Sequence, residues 1–288
     1  MSEKWRLINH GAGPPDWNMA VDRALLDHAV DAGGIPTLRL FWWTPHALSL
    51  GANQKAHESI DWTLLAADGY GVVRRPTGGR AILHGEELTY SVTAPAPPGG
   101  ITAAYRWLSD GLRGGLAEAG IAVDLERRHA LPAGGDSAEH RGTSLETRHP
   151  CFSTAGRYEL MAGGRKIVGS AQCRSRGWLM QHGSILLGNE HVNLPRYLIG
   201  ADIEKEMAQL RGATVDCASL LGYDLSAGDL APTFAAGFAR ELGISLEDGR
   251  MNERETGRAE QLRSDLFSNE EWTRFGRRKS ATDEDGTD

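Results

Sequence analysis

The fold is indicated most clearly by residues 158–187, which read YELMAGGRKIVGSAQCRSRGWLMQHGSILL. Apolar and polar side chains alternate along three segments, and glycine-bearing turns separate them. The segments are Tyr158–Met161, Arg165–Gln172 and Trp178–Leu187, with turns at Ala162-Gly163-Gly164 and Ser175-Arg176-Gly177. A period of two is typical of strands, and short glycine turns are typical of hairpins. We therefore predict a three-stranded antiparallel meander.

Upstream of the meander, the chain alternates between helical and strand-like patterns. A helix capped by Asp16 is predicted to run to about Val30, and a second is predicted from Thr102, with Gly120 as its stop. The predicted strands are Pro36–Trp43 and Ala47–Gly51, joined by a tight turn, and then Gly71–Arg75 and Glu87–Ala94. Strands interspersed with helices indicate a sheet that helices cover.

The composition is that of an ordinary soluble globule. The 288 residues are 40% hydrophobic and 24% charged. We find no apolar run of the roughly 18–20 residues that a membrane helix needs, and no signal-peptide pattern at the start. The cysteines are Cys151, Cys173 and Cys217, too few for a disulfide framework. These features favour a cytoplasmic protein that does not bind membranes.

Charge is distributed unevenly along the chain. The net charge of −7 argues against nucleic acid as a partner. From Ala201 onward there are 19 acidic and 11 basic residues, so the first 200 are close to neutral. Within these, residues 157–183 hold five basic side chains and one acidic one, and Arg74, Arg75 and Arg80 form a second basic group. The clusters suit an anionic protein partner, although solvated strand residues explain them equally well.

The pattern divides the chain into three parts. Residues 1–195 are predicted to form the main domain, 196–276 a small, acidic and mostly helical C-terminal part, and 277–288 a disordered tail. Inside the main domain, Leu131–Thr147 is polar and has no periodicity, so it is predicted to be a mobile loop.

Two motifs flank strand-like segments and carry candidate site residues. Residues 74–84 read RRPTGGRAILH, where adjacent glycines let the backbone approach a ligand closely. A plain turn has the same signature, and the ending of a phosphate-binding loop is missing. Residues 164–172 read GRKIVGSAQ, where Lys166 could reach an anion and small residues leave room for a substrate chain. An exposed strand lysine is the alternative.

Cys151 stands between the polar loop and the meander, Lys166 is a candidate cation for it, and two histidines are candidates for proton transfer. A nucleophilic cysteine needs a nearby cation, because an unperturbed thiol has a pKa of about 8.5. Lys166 is a candidate for that cation, although a lone cysteine is also a common buried residue. His84 and His182 could position a substrate or carry a proton, or serve only as buried structural groups. The histidines and cysteines fit no zinc spacing.

Taken together, these residues resemble the biotin/lipoate protein ligase superfamily. The likeness is carried by residues 74–84 and 164–172 in this order, then Gln181-His182-Gly183-Ser184, with Asn18–Asp22 and Leu48–Gly51 as further markers. It spans about residues 15–190. Cys151-Phe152, followed by Tyr158-Glu159-Leu160, is similar to the cysteine-dependent octanoyltransferases that use octanoyl-acyl carrier protein. Many relatives carry an acid directly after the histidine, whereas this chain reads His84-Gly85-Glu86-Glu87.

The resemblance implies an α/β fold with a mixed, largely antiparallel sheet flanked by helices and a tunnel for an eight-carbon chain. It implies Cys151 as nucleophile and Lys166 as its cationic partner, without a cofactor or a metal. The substrate contacts that it implies are Arg75, Thr77, Gly78, Gly79, Arg80, His84, Gly169, Ser170, Ala171, Gln172 and His182.

The implied partners are octanoyl-acyl carrier protein as donor and lipoyl-domain proteins as acceptors, such as the glycine cleavage H protein and E2 subunits of 2-oxoacid dehydrogenases. Three alternatives stay open. They are an amidotransferase that moves octanoyl between lipoyl-domain proteins, an ATP-dependent lipoate ligase that needs no Cys151, and a non-catalytic binder of lipoylated proteins.

Overall fold

The computed structural model describes residues 2–126 and 159–276. Within these ranges the strands are β1 (Glu3–Gly13), β2 (Thr37–Trp43), β3 (Ala47–Leu50), β4 (Gly71–Arg74), β5 (Ile82–His84), β6 (Glu87–Pro95), β7 (Asp124–Glu126), β8 (Glu159–Ala162), β9 (Arg165–Ser175), β10 (Trp178–Leu186) and β11 (Ile244–Asp248). The α-helices are α1 (Pro15–Ala32), α2 (Trp62–Ala67), α3 (Gly100–Glu118), α4 (Ile203–Ala213), α5 (Cys217–Leu221), α6 (Ala227–Leu242), α7 (Glu253–Leu262) and α8 (Glu270–Phe275). A 3-10 helix covers Glu190–Tyr197, and a π-helical turn covers Arg263–Phe267.

The central element is an eight-stranded sheet in the order β11-β1-β2-β6-β10-β9-β8-β7. Strand β1 pairs in parallel with both β11 and β2, and the pairs from β2 onward are antiparallel. The sheet is therefore mixed and largely antiparallel, which confirms the predicted fold class. Strands β8, β9 and β10 also confirm the predicted meander. Its first turn needs glycine, because Gly163 and Gly164 have φ of 56° and 74°.

Helices cover both faces of this sheet. Successive side chains of a strand point to opposite faces, and in β2 Leu38 and Leu40 join the core under α3 and α6, whereas Phe41 joins the core under α1 and α7. Helix α3 confirms the helix predicted from Thr102 and buries Leu108, Leu112 and Leu116 on one side. No helix of the described ranges is both long and apolar enough to cross a membrane.

A second, three-stranded sheet has the order β4-β3-β5. The predicted strands Pro36–Trp43 and Ala47–Gly51 are both present, and they belong to different sheets. The chain leaves the large sheet after Trp43, and β3 pairs in parallel with β4 and antiparallel with β5. Strand β5 has only three residues and was not predicted. The predicted helix cap also differs, since α1 begins at Pro15 and Asp16 lies in its first turn.

The C-terminal residues 196–276 are largely helical, but they are joined closely to the rest of the chain. Strand β11 is an edge strand of the large sheet, and α6 packs against α3. Helix α7 packs on α1, and Glu255 is ion-paired with Arg6 of β1 at 2.7 Å. The division at residue 195 stays a prediction. The predicted loop at Leu131–Thr147, Cys151 and the tail 277–288 lie outside the described residues.

Candidate active site

A narrow cavity lies where the large sheet meets the three-stranded sheet. Strands β9 and β10 form one wall, and Met19 of α1, Trp43 of β2 and Thr89 of β6 border it. The remaining lining residues are Ser49, Arg75, Ile82, His84, Gly169, Ser170, Ala171, His182, Gly183 and Ser184. Six of the predicted substrate contacts are in this lining, namely Arg75, His84, Gly169, Ser170, Ala171 and His182.

Small residues on β9 make room for the cavity. Gly169 pairs with Ser184 and Ala171 pairs with His182, so these four residues share one face of the sheet. A larger side chain at Gly169 or Ala171 would project into the space beside the strand. Gln172, another predicted contact, donates to Gln181 at 3.0 Å and does not line the cavity.

His84 is held between a carboxylate and a hydroxyl. Its Nδ1 lies 2.8 Å from Glu87 Oε1, and its Nε2 lies 2.6 Å from Ser49 Oγ. The Trp43 ring stacks on the imidazole with centroids 4.2 Å apart. Burial alone would raise the pKa of Glu87, but the interaction with His84 and several hydrogen bonds outweigh it, so this pKa is lowered. Because an ionised Glu87 only accepts, Nδ1 carries a proton, and in the neutral imidazole Nε2 then accepts from the Ser49 hydroxyl.

No acid directly follows His84, and the carboxylate that bonds its imidazole is Glu87, three residues later. Glu87 Oε1 also accepts hydrogen bonds from Thr89 and Ser184, each at 2.7 Å. The turn His84-Gly85-Glu86-Glu87 thus places its second acid, and not its first, against the imidazole.

His182 is also held between a carboxylate and a hydroxyl, but its carboxylate is Asp22. Its Nδ1 lies 2.9 Å from Asp22 Oδ2, and its Nε2 lies 2.7 Å from Thr77 Oγ1. The other Asp22 oxygen accepts from the fully buried Arg39 at 2.7 Å. Burial is the largest influence on the pKa of His182 and lowers it, against the raising effect of Asp22. Thr77, a predicted substrate contact, bonds His182 and is not part of the cavity lining.

The two arginines of the glycine motif hold the surrounding backbone. Arg75 donates to the Gly78 and Arg80 carbonyls at 2.9 and 2.8 Å, and to Ser49 Oγ at 3.1 Å. Arg74 is buried and donates to the carbonyls of Gly51, Gln54 and Trp272. The predicted contacts Gly78 and Gly79 are exposed in this loop, and Arg80 is half-buried. The motif is therefore a braced loop at the edge of the cavity.

Lys166 is buried at the β8–β9 hairpin, outside the lining of the cavity. Only 5% of it is exposed, and Nζ donates to Glu159 Oε1 at 2.6 Å. This buried ion pair places an ammonium and a carboxylate beside the point where the described chain resumes after residue 158. Cys151 lies outside the described residues, so its role as nucleophile stays a prediction.

The two described cysteines have the character of structural residues. Both are free, and burial raises the pKa of Cys173 to about 11 and that of Cys217 to about 12. Neither thiol is therefore appreciably ionised at neutral pH. Within the described ranges, no group of three or more His, Cys, Asp or Glu side chains is placed to hold a metal ion.

Sequence reasoning missed the residues that hold the two imidazoles. Asp22 and Ser49 belong to markers of the resemblance, but nothing local in the sequence assigns them a partner. Glu87 and Glu159 had a weak signal, as acids near His84 and Lys166. Only the acid close to His84 along the chain was available to a local argument.

The chain is similar to known proteins over nearly its whole length. Residues 14–239 match the family described as lipoyl protein ligase A/B catalytic domain. An octanoyltransferase LipM from Symbiobacterium thermophilum is 41% identical over 278 residues, covering 94% of this chain and 98% of the relative. The octanoyltransferase LipM of Staphylococcus aureus is 35% identical and covers 94% of this chain and 99% of the relative.

Solved structures share the fold at lower identity. The crystal structure of lipoate-protein ligase A bound with ATP has a TM-score of 0.74 at 22% identity, with coverage of 94% and 98% of the two chains. An archaeal bipartite lipoate protein ligase from Thermoplasma acidophilum has a TM-score of 0.76 at 21% identity, with coverage of 96% and 99%. With these matches over nearly the whole chain, the protein belongs to the lipoyl protein ligase A/B catalytic-domain family and is an acyltransferase of its octanoyltransferase branch.

Proposed function

We propose that this octanoyltransferase takes its acyl group from octanoyl-acyl carrier protein, holds it as a thioester on Cys151, and delivers it to a lysine of a lipoyl-domain protein. The observation that carries the proposal is the narrow cavity between the two sheets, with Gly169 and Ala171 opening the wall where an acyl chain would lie. Relatives named octanoyltransferase LipM support the acyl group.

Burial of the acyl chain would provide selectivity. Seven carbon groups beyond the carbonyl, at about 0.8 kcal/mol each, amount to roughly 5–6 kcal/mol. A shorter chain forgoes part of this energy.

In the first step the Cys151 thiolate attacks the thioester carbon, and the phosphopantetheine thiolate leaves. One thioester replaces another, so the reaction is nearly balanced in energy and depends on positioning. The Lys166 ammonium, held by Glu159, would stabilise the thiolate and the developing oxyanion. Backbone N–H groups of the Gly78–Arg80 turn or of Gly169–Ala171 would share the oxyanion.

In the second step the acceptor lysine attacks the acyl-enzyme and forms an amide. The glycine cleavage H protein and E2 lipoyl domains are the acceptors that we propose, and the archaeal ligase of the same fold is described together with its E2 lipoyl domain. The energy of the donor thioester is sufficient, so the proposal includes no ATP and no cofactor.

Intact mass spectrometry of the purified protein with octanoyl-acyl carrier protein, without ATP, tests the first step. We expect a hydroxylamine-sensitive octanoyl adduct on the wild type and none on Cys151→Ala. Cys173→Ala is the matched control and should keep the adduct, because burial raises the pKa of that thiol to about 11.

The acceptor and the alternatives are tested in the same assay. Addition of apo H protein or an apo E2 domain should discharge the adduct and octanoylate the acceptor. An adduct formed only from an octanoylated lipoyl-domain protein would indicate an amidotransferase. Transfer that needs ATP and free lipoate, and that survives Cys151→Ala, would indicate a ligase and overturn the proposal.

A further inference from the structure

Two imidazoles border the same cavity with the same hydrogen-bond geometry. Each has a carboxylate at Nδ1 and a hydroxyl at Nε2, with donor–acceptor distances between 2.6 and 2.9 Å. His84 lies between Glu87 and Ser49, and His182 lies between Asp22 and Thr77. What separates the two is the charge around each carboxylate.

The carboxylate beside His182 is already neutralised. Asp22 Oδ1 accepts from Arg39, and both side chains are fully buried. A proton on His182 would therefore add a positive charge to a closed, neutral group. Burial disfavours the imidazolium of His182 most strongly, and Arg75 adds positive charge nearby. His182 is thus suited to remain neutral and to accept the Thr77 hydroxyl.

The carboxylate beside His84 is held mainly by neutral donors. Apart from His84, the hydrogen-bond donors to Glu87 in the described part of the chain are the neutral groups of Trp43, Thr89 and Ser184. A proton on His84 would therefore form an ion pair with Glu87 and leave no net charge on the pair. When the surroundings of two titratable groups move their pKa values apart, one group becomes the better proton acceptor.

A substrate can reach His84 through Ser49, because both side chains line the cavity. The Ser49 hydroxyl gives its own proton to the hydrogen bond with Nε2 and accepts from Arg75 Nη1 at 3.1 Å. An sp³ oxygen has a second lone pair, and this one can accept a proton from a bound ammonium group.

We propose that His84, through the Ser49 hydroxyl, accepts the proton that the acceptor lysine must lose before it attacks the acyl group, with Glu87 as the positioning residue. The inference rests on the function proposed above. An ammonium proton passes to Ser49 Oγ, and the Ser49 proton passes to His84 Nε2. The freed nitrogen lone pair forms the bond to the acyl carbon, and the carbon–sulfur bond breaks with its electron pair on sulfur. That thiolate takes the second nitrogen proton, and His84 later releases its proton to solvent.

Other titratable groups surround His84 and must be separated from it. They come from every element that packs on it: Arg75, His182, Glu86 and Glu87, His46 and Glu190 beside Gly85, and His191 near Glu87. If the pH dependence of the transfer rate comes from His84, it should change when the charge of Glu87 is removed, because Glu87 bonds the imidazole ring directly.

The test is a single-turnover reaction of pre-formed octanoyl-enzyme with an apo lipoyl domain. The rate is followed from about pH 5.5 to about pH 9.5, a range that includes the ordinary imidazole pKa of about 6.5. We expect the wild-type rate to rise and then become level. In His84→Gln the rate at neutral pH should fall by about 100-fold or more and increase about tenfold per pH unit throughout. Without a base, only acceptor that has already lost its proton reacts, and a lysine has a pKa of about 10.4.

Two further variants separate a proton-transfer role from a structural one. Glu87→Gln keeps the shape of the side chain and removes its charge, so the rising part of the profile should move to lower pH and the level part should be lower. His182→Gln should keep the wild-type shape of the profile, whatever its rate.

The outcomes are distinct. Absence of an adduct on the wild type would remove the proposed function itself. If His84→Gln forms the adduct and transfers it with the wild-type pH profile, the role of His84 is overturned and the proposed function is not affected. If His84→Gln does not accept the acyl group, Glu87→Gln decides, and a rising part that does not move refutes the inference.

Discussion

Replacement of Gly51 by alanine should disturb the glycine loop without touching the cavity lining. A Cβ at this position would lie 2.0 Å from the carbonyl oxygen of Gly79 and 2.8 Å from its carbonyl carbon. Real Cβ atoms essentially never approach within 3.0 Å, and both contacts are to backbone. The end of β3 and the loop must therefore separate by about 1 Å.

This separation would stretch the hydrogen bonds that brace the loop. Ala52 donates to the Thr77 carbonyl at 2.8 Å, and Arg75 donates to Gly78 at 2.9 Å. Overpacking of this kind costs about 1–3 kcal/mol. For a chain of this size we expect Tm to fall by about 2–4 °C for each kcal/mol. Octanoyl transfer should fall more steeply, by up to about 100-fold, because a 1 Å misplacement near reacting groups has that effect.

Thermal unfolding and the mass-spectrometric transfer assay measure both effects, and Gly78→Ala is the matched control. A Cβ at Gly78 meets nothing within 4 Å, and its φ does not require glycine. We expect its free energy of unfolding to change by less than about 0.5 kcal/mol. The reasoning is refuted if Gly51→Ala keeps both the Tm and the transfer rate of the wild type.

Three further predictions concern the buried charges and the surface. Asp22→Asn should lower the free energy of unfolding by about 3–5 kcal/mol in chemical denaturation, because Arg39 loses its only buried carboxylate partner among the described hydrogen bonds; a loss below about 1 kcal/mol would contradict this. Burial lowers the pKa of His191 from 6.5 to about 4, so the unfolded chain takes up that proton first. Stability should therefore be complete above pH 6.5 and decrease as pH falls toward 4, and His191→Gln should flatten this slope if the histidine is its source. Arg174→Glu and Arg176→Glu should each raise the apparent KM for octanoyl-acyl carrier protein, and unchanged kinetics would exclude this face as the docking surface.

Local pattern was enough for the elements whose partners are close along the chain. The meander β8–β10 was predicted because its strands alternate and its turns contain glycine, and hairpin partners lie within a few residues of each other. Helix α3 was predicted because its apolar stripe repeats with the helical period.

Pairing over long separations could not be predicted in this way. Strands β1 and β11 pair in parallel although Glu3 and Ile244 lie at opposite ends of the chain. Strand β3 has the expected position, but its partners could not be predicted, because a turn next to a strand does not specify which sheet the next strand joins.

The same distinction between local pattern and long-range contact holds for the candidate site. By itself the sequence determined the motif residues that border the cavity, and it proposed Cys151 and Lys166, because residue types and spacing are local properties. Only the tertiary structure decided that Asp22 serves His182 from 160 positions away and that Ser49 and Glu87 hold His84. It also decided which carboxylate has an arginine beside it. The balance of charge around a buried imidazole depends on all the strands and helices that pack around it. These elements are distant from one another in the chain, so no single stretch of sequence specifies that packing.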